Sequence, residues 1–422
     1  MIENPKTQRE LRWKCELGPD IFQQGPLNEF GGPNALQEFE SLREMTKGLI
    51  VGSGIPTVAM RPGSSALIPL LRYFPTLVQL LQQGPELTGT FEAYMDGPKF
   101  IVKDKWLRNW LDALAFSLSG LPASRTSAAA MAFVLDDMHR DGAALDYPKG
   151  GLGSVIDALV RALEQGNNQS KLNLRCHVER IDFSEDAARA TGVTLRSGKR
   201  IKARDGVICN APVWSLKNLI HDKTVLNKLN NGLPLAGTIN IPRQTWDTST
   251  SGSSIRLTRP EEDDPVDSLL YKCDTAEMTG SFLHLHIAID ATGLDLDNME
   301  AHYTVMDRSL AGDDNESVNE VPDGPCGELN MIAVSNPCKI DKTLAPEGYM
   351  VIHAYGAGNE PYEIWNGLSR NSPEYARLKE ERSEVLWRAI ESIIPDVRDR
   401  VVLDLVGSPI THERFLRRPR GT

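Results

Sequence analysis

"YPKGGLGSVIDALVRALEQ", residues 147–165, sets three glycines ahead of an apolar period of three and four. Glycines before a helix N-terminus are one way a protein holds a nucleotide phosphate. A dinucleotide unit needs more: an apolar strand, then G-x-G-x-x-G opening the helix, all within about 30 residues. Here Gly151-Leu152-Gly153 is followed three residues later by Ile156, where glycine or alanine is required. The preceding "RDGAALDYP" contains Pro148 and has no strand pattern. The stretch is therefore not a pyrophosphate cradle. It reads as a tight turn at a helix N-terminus, where Gly150 and Gly151 let the backbone approach a neighbour closely and free N–H groups point outward. That neighbour is either a flat aromatic ligand or another packed segment, and the residues alone leave both open.

The rest of the composition narrows the class. A chain of 422 residues exceeds one simple core, which predicts two or three interleaved domains. Its 46 Lys and Arg against 57 Asp and Glu give a net charge of −11, which excludes a nucleic-acid surface because phosphate neutralisation needs clustered cations. Cys15, Cys176, Cys209, Cys273, Cys326 and Cys338 show neither CxxC nor zinc spacing, and read as reduced structural thiols of an intracellular or organellar protein. The N-terminal residues lack the patterns of a secretory or transit peptide. No run of 18 apolar residues occurs. "SALIPLLRYFPTLVQLLQQ" from Ser65, broken by Pro69, Arg72 and Pro75, reads either as a segment lying on a bilayer or as a buried helical hairpin.

Periodicity divides the chain. Residues 34–140 carry helical patterns in "PNALQEFESLREMTKGLI", in "DKWLRNWLDALAFSLSGLP" with Trp106, Trp110, Leu114 and Leu118 as its stripe, and in "SRTSAAAMAFVLDDMH". A helix from Ser154 to Gln165 follows. "LNLRCHVERIDFS" and "ATGVTLRSGKRIKA" then alternate like a β-meander with a "SGKR" turn, and "GVICNA" reads as a short buried strand. Polar "RPEEDDPVD" and acidic "AGDDNESVNEVPDGP" read as loops, the second as disordered. Strands return at "SFLHLHIAID", "GELNMIAVSN", "YMVIHAYGA" and "RVVLDLVGSPI". Between the last two lies a helix with Ser372 as N-cap, proline at its first position, an apolar stripe at Tyr375, Leu378, Val385, Ala389 and Ile393, and Pro395 beyond its end.

With these stretches in view, the chain resembles the carotenoid isomerase branch of the phytoene desaturase-like flavoproteins, within the amine-oxidase-type FAD superfamily. The resemblance runs from about Glu16 to the last residue. It rests on "WLRNWLDALAFSLSGLPASRTSAAAMAFVLDDMHRDGAALDYPKGG", "HVERI…GVTLRSGKRIKARDGVICNA", "FLHLHIAIDATGL", "VIHAYGAGNEPYEIWNGLSRNSPEYARLKEERSEVLWRAIESIIPDV" and "VGSPITHERFLRRPRGT". Members of that family open with a βαβ G-x-G-x-x-G unit and close with a second glycine-rich FAD segment. This sequence has neither, and so looks like a member cut at both ends.

The resemblance implies an α+β fold derived from α/β, with an incomplete Rossmann-like FAD-binding domain interwoven with a substrate domain of antiparallel sheet plus helices. Its expected parts are residues 1–33 as an FAD-domain connection, 34–146 as a helical, membrane-facing part of the substrate domain, 147–215 as an FAD-binding segment, 216–400 as the substrate domain proper and 401–422 as a return to the FAD domain. It also implies a carotenoid substrate drawn from a membrane surface, a plastid or cyanobacterial-type location, and FAD as cofactor. A reduced flavin can lower the order of a conjugated double bond by donating electron density or stabilising a transient cation, while the protein orients the reactants. Gly150 and Gly151 would lie near the flavin ring, Val178 near the adenine, and Asn210 and Ala211 at the end of a strand reaching the cofactor.

Other residues carry weaker signals. His353, Glu360, His412 and Glu413 are acid–base candidates should a proton move onto or off the polyene. Arg414 begins the basic cluster "RFLRRPR", which suits a solvated loop, a flavin phosphate or anionic lipid. His284 and His286 alternate on one strand face without a third ligand to complete a metal site, and read as satisfied sheet histidines. The implied activity is FAD-dependent cis–trans isomerisation of a prolycopene-type carotenoid without net redox. Desaturation, saturation or hydration of a related carotenoid or retinoid is the alternative, since fold does not fix chemistry. So is a non-catalytic carotenoid- or partner-binding protein lacking the nucleotide unit.

Overall fold

The computed structural model describes residues 2–4, 9–11, 14, 16–50, 75, 78, 89–97, 101–144, 146–166, 170–230, 243–246, 255–258, 273–306, 329–356 and 358–422. The apolar stretch from Ser65 (save positions 75 and 78), the polar loop from Arg259, the acidic stretch from Ala311, Cys15 and Cys326 lie outside them.

Described helices, in chain order, are α1 (Ile21–Gln24), α2 (Pro26–Phe30), α3 (Ala35–Ile50), α4 (Phe91–Met95), α5 (Lys105–Ser119), α6 (Ala128–His139), α7 (Leu152–Gln165), α8 (Val213–Leu216), α9 (Lys223–Asn230), α10 (Pro373–Glu391), α11 (Val397–Arg400) and α12 (Pro409–Leu416). The strands are β1 (Ile2–Asn4), β2 (Arg9–Leu11), β3 (Val178–Phe183), β4 (Ala190–Leu195), β5 (Arg200–Lys202), β6 (Arg243–Trp246), β7 (Ile255–Thr258), β8 (His284–Asp290), β9 (His302–Met306), β10 (Met331–Ser335), β11 (Tyr349–Gly356) and β12 (Val401–Gly407). Every strand pairing among them is antiparallel. The fold is thus a mixture of helix and antiparallel sheet. The chain divides into a first unit (Met1–Met60, Ser65–Val155 and Thr279–Thr422) and a second (Arg61–Ser64 and Ile156–Met278).

In the first unit a helical core gathers Phe22, Phe39, Leu42, Leu107, Leu111, Met131 and Leu135, all fully enclosed. Helix α5 starts at Asp104, whose Oδ1 accepts from the Leu107 N–H at 2.8 Å, while its Oδ2 accepts from the Gly32 N–H at 2.8 Å. One side chain therefore caps a helix and ties down a distant turn. The inward face of α5 is centred on Leu107, Leu111 and Leu114. Trp106 and Trp110 flank it against the ring of Phe22, at 6.0 and 5.6 Å between centroids, and Leu118 of the expected stripe is exposed. The physical reason is size: two indoles sit more readily at the rim, with the smaller leucines filling the centre.

The second core of that unit lies between a five-stranded sheet, ordered β12-β8-β11-β10-β9, and helix α10. Leu285, Ile287 and Ile289 of β8 and Met350, Ile352 and Ala354 of β11 face Leu386 and Ile390. Ser372 caps α10 as its sequence predicts, with Oγ accepting from the Tyr375 N–H at 3.2 Å, and Pro373 follows. The expected stripe is rotated slightly, because the fully buried centre is Leu386 and Ile390, with Val385 and Ile393 at its margin.

In the second unit β3, β4 and β5 form the expected meander, with Gly198 at φ +82° in its turn. Asp182 inside it is held by the Thr194 hydroxyl at 2.8 Å and by Arg180 Nε at 2.8 Å. The expected buried strand "GVICNA" is not formed. Residues 206–211 are irregular, and Ile208 is 99% exposed. A short apolar strand persists only between neighbours that satisfy its backbone, and no described strand pairs with this one. Helix α7 begins in the first unit and continues in the second from Ile156, and its apolar Leu152, Val155, Ile156, Leu159 and Leu163 are all exposed.

His139 tests the helical core. Its ring packs 5.9 Å from Phe22 and 5.3 Å from Phe39, and its Nδ1 has no hydrogen-bond partner. Burial, helped by the charge of Arg43 and opposed by that of Asp20, pushes its pKa down from 6.5 to about 4. Between those values the unfolded chain binds the extra proton, so this group's contribution to stability is intact above pH 6.5 and is lost as pH falls toward 4. His139→Phe keeps a ring and removes the titration. Its thermal midpoint is expected at or above wild type at pH 7.5, with the advantage widening down to pH 4. A difference that stays constant with pH in calorimetry would refute the assignment.

Candidate functional site

Alternation along "HLHIAID" sends Leu285, Ile287 and Ile289 into the sheet core and His284 and His286 to the opposite face. Pairing with β11 sets His353 opposite His286 and Tyr355 opposite His284. Residues directly opposed in antiparallel strands share a face, so four rings come together. The imidazoles of His286 and His353 stack at 4.1 Å and 3°, and those of His284 and His353 at 4.8 Å and 5°. Tyr355 stacks 4.8 Å from His353. His284 Nδ1 and His353 Nε2 are 2.5 Å apart, sharing one hydrogen bond. The same row continues outward through Ser335 to His302, whose Nδ1 is 3.0 Å from the Ser335 hydroxyl.

Helix α12 closes one side of this face. His412 lies 4.6 Å from His284 between ring centroids, and Phe282 lies 5.5 Å from His284. The helix is fixed by its surroundings: Tyr375 OH bonds the buried Ser408 hydroxyl at 2.7 Å, and Tyr362 OH donates to Glu413 Oε2 at 2.8 Å. The Arg420 N–H donates to Glu413 Oε1 at 3.2 Å. Burial lowers the pKa of His284, His286, His353 and His412, with neighbouring histidines adding repulsion at His284, His353 and His412; for His353 the value falls to about 3. At neutral pH the face is a cluster of uncharged imidazoles.

The seven remaining predicted residues lie elsewhere. Glu360 is fully buried beneath the sheet end, bridged through its backbone to Ser281. Its Oε1 accepts from Trp365 Nε1 at 2.8 Å and Arg382 Nε at 3.0 Å, and its Oε2 from Arg382 Nη2 at 2.7 Å. A carboxylate so engaged is poorly placed to carry protons. Gly150 and Gly151, at φ +79° and +76°, form a left-handed turn before α7. The turn is pinned by Asp341, whose Oδ2 accepts the Gly150 N–H at 2.8 Å. In the second unit, Val178 begins β3, while Asn210 and Ala211 are exposed in the irregular stretch before α8. Arg414 is exposed on α12, over the ring of Phe415 at 5.3 Å.

Sequence reasoning named His353 and His412 but not their meeting with His284 and His286. The missing third imidazole beside the β8 pair is His353. Its place in the alternating "VIHAYG" was the available signal, and the register that puts it there was not legible. Asp341, 191 positions from the turn it anchors, gave no local signal at all.

Known proteins bear on this arrangement. Residues 98–298 match the family described as flavin containing amine oxidoreductase. The chain is 30% identical over 323 residues to "Prolycopene isomerase 2, chloroplastic" of an Oncidium hybrid cultivar, covering 76% of this chain and 44% of that protein. Against "Prolycopene isomerase, chloroplastic" of Daucus carota it is 28% identical over 324 residues, covering 76% and 42%. Against "All-trans-retinol 13,14-reductase" of Danio rerio it is 23% identical over 290 residues, covering 65% and 40%. The matched stretch spans less than half the length of these relatives. The description of the matched family implies a flavin, and the described residues show no complete cradle for one. At Gly150 an added Cβ would already touch Ser154 Cβ at 3.6 Å, and at Gly151 the Tyr147 hydroxyl at 3.5 Å, so on that side the turn is packed by its own neighbours. No strand–turn–helix with a glycine fingerprint is present among the described residues to receive a pyrophosphate.

The Glu360–Arg382 pair yields a direct test. Arg382→Ala strands a carboxylate with no exposed side-chain surface and is expected to cost about 3–5 kcal/mol, read from the urea midpoint. Adding Glu360→Gln should recover much of that loss. If the single variant unfolds at the wild-type midpoint, the pair is not what holds this corner.

Proposed function

We propose that this chain, whose matches support the carotenoid-isomerase-like branch of the amine-oxidase superfamily, serves flavin-dependent cis–trans isomerisation of a long polyene of prolycopene type, with no net redox change. The similarity over 323 residues to a protein named as a prolycopene isomerase carries this reading. FAD is the flavin we assign, supplying electron density to a conjugated chain when bound.

This chain's own residues bind and orient. The Gly150–Gly151 turn, held by Asp341 through the Gly150 N–H, is assigned to the flavin-ring side of the cofactor. Val178 is assigned to the adenine, Asn210 and Ala211 to the approach to the cofactor, and Arg414 to a flavin phosphate or anionic lipid. Phe282 and Tyr355 offer aromatic surface next to the neutral imidazoles. Isomerisation needs no net proton transfer, and a face without charged groups suits an apolar substrate. The partners we assign are a carotenoid and a peripheral membrane surface, in a plastid as in the chloroplastic relatives. Among the described residues no helix is long and apolar enough to cross a membrane.

The similarity to a retinol reductase favours a second reading, in which a polyene is saturated, desaturated or hydrated. His353, His412 and Glu413 would then supply or accept protons, and Glu360 would hold the sheet end in place.

Mass and absorption of the product separate these. Purified protein is incubated anaerobically with a poly-cis carotene and, in parallel, either reduced FAD or oxidised FAD as electron acceptor, and the pigment is resolved by chromatography. An all-trans product of unchanged mass is expected. A gain or loss of two hydrogens, or a gain of water, would establish the second reading. Unchanged substrate retained on the protein would mark a binder and defeat both.

A further inference from the structure

Outside any flavin chemistry, the imidazole face has the makings of a metal site. Among the described residues, His284, His286 and His353 bring one nitrogen each within 4.8 Å of one another. They sit on adjacent strands whose register is fixed by a continuous ladder, so their Cα positions are set by the sheet and not by a loop. His284 and His353 already point nitrogens at each other across 2.5 Å, where a single proton can serve only one bond. A neutral imidazole donates its free lone pair to a metal. His412 adds a fourth ring from α12, and its Nε2 is buried without a hydrogen-bond partner. Buried polar atoms are nearly always satisfied, so an orphan beside three imidazoles marks a place for something more.

We propose that His284, His286 and His353 form a binding site for a divalent transition-metal ion of the zinc class, with an open fourth position beside His412. A donor set of imidazoles without carboxylates favours Zn2+, Co2+, Ni2+ or Cu2+ over Mg2+ and Ca2+, which take oxygen ligands. Zinc–nitrogen bonds of about 2.0–2.1 Å in a tetrahedron require donor atoms about 3.3 Å apart. The stacked rings must turn edge-on to converge. His286 is the exposed member and has room to do so, and the ion enters from its side. Three protein ligands leave the open position that catalytic metal sites keep for water or a small donor, and His412 is placed to orient it.

Untagged protein, stripped with a chelator, is titrated with Co2+ at pH 7.5 and followed by visible absorption, with Zn2+ added separately in thermal melts. One equivalent of Co2+ is expected to produce the ligand-field bands of a four-coordinate ion, and Zn2+ to raise the melting midpoint. His286→Ala, at an exposed position where folding is not at risk, should weaken Co2+ binding by about 100-fold or more and abolish the Zn2+ shift, comparable to or beyond the loss from removing an outer-shell partner. His302→Ala, on the same face but bonded to Ser335, should leave both signals intact. Absence of a saturable one-equivalent signal, or equal binding by folded His286→Ala, overturns the proposal.

Discussion

Strand β8 is the constraint on which the first unit depends. It is hydrogen-bonded on both edges, to β12 and β11, and carries apolar and imidazole side chains on alternate faces. Burying Leu285, Ile287 and Ile289 contributes about 1.5–3 kcal/mol each. A one-residue slip would forfeit that and drive His284 and His286 into the core against α10. The aliphatic side chains therefore decide the register, and the histidine face follows as its consequence.

That division explains what could be read in advance. Alternation in "HLHIAID" and the cap at Ser372 are local and were legible from neighbouring residues. The phase of α10 was less so, because Val385 and Leu386 are equally apolar and only packing against the sheet selects Leu386 for the centre. "GVICNA" has strand composition, yet a strand needs partners, and composition cannot supply them. Glu360 looked like a catalytic acid in isolation. Its meaning changes once Arg382, 22 positions away, closes on it. The family resemblance was legible in long stretches such as "VIHAYGAGNEPYEIWNGLSRNSPEYARLKEE", whereas the meeting of His353 with His284 and His286 depended on strand register.

Two kinds of polar group thus sit close together with different tasks. Glu360, Arg382 and Trp365 form a saturated network in which every carboxylate oxygen is engaged, suited to holding geometry. Tyr362, Glu413 and the Arg420 backbone do the same for α12. The imidazoles are the reverse: crowded and neutral, with His412 Nε2 buried and without a hydrogen-bond partner. Rigidity around such a cluster suits a binding surface, since the frame holds the rings in place.

The order of the five-stranded sheet has a further effect. Its strands β8 and β9 come from one side of the 307–328 interval, and β10, β11 and β12 from the other. Yet β8 lies between β12 and β11, and β9 beside β10, so every edge of the earlier pair that is paired at all is paired with the later group. A backbone cut in that interval would yield two fragments zipped together along three seams, with Ser281 still grasping Gly421 through its hydroxyl at 2.8 Å. The sheet is woven rather than folded from contiguous cloth, and scission there would leave the weave intact.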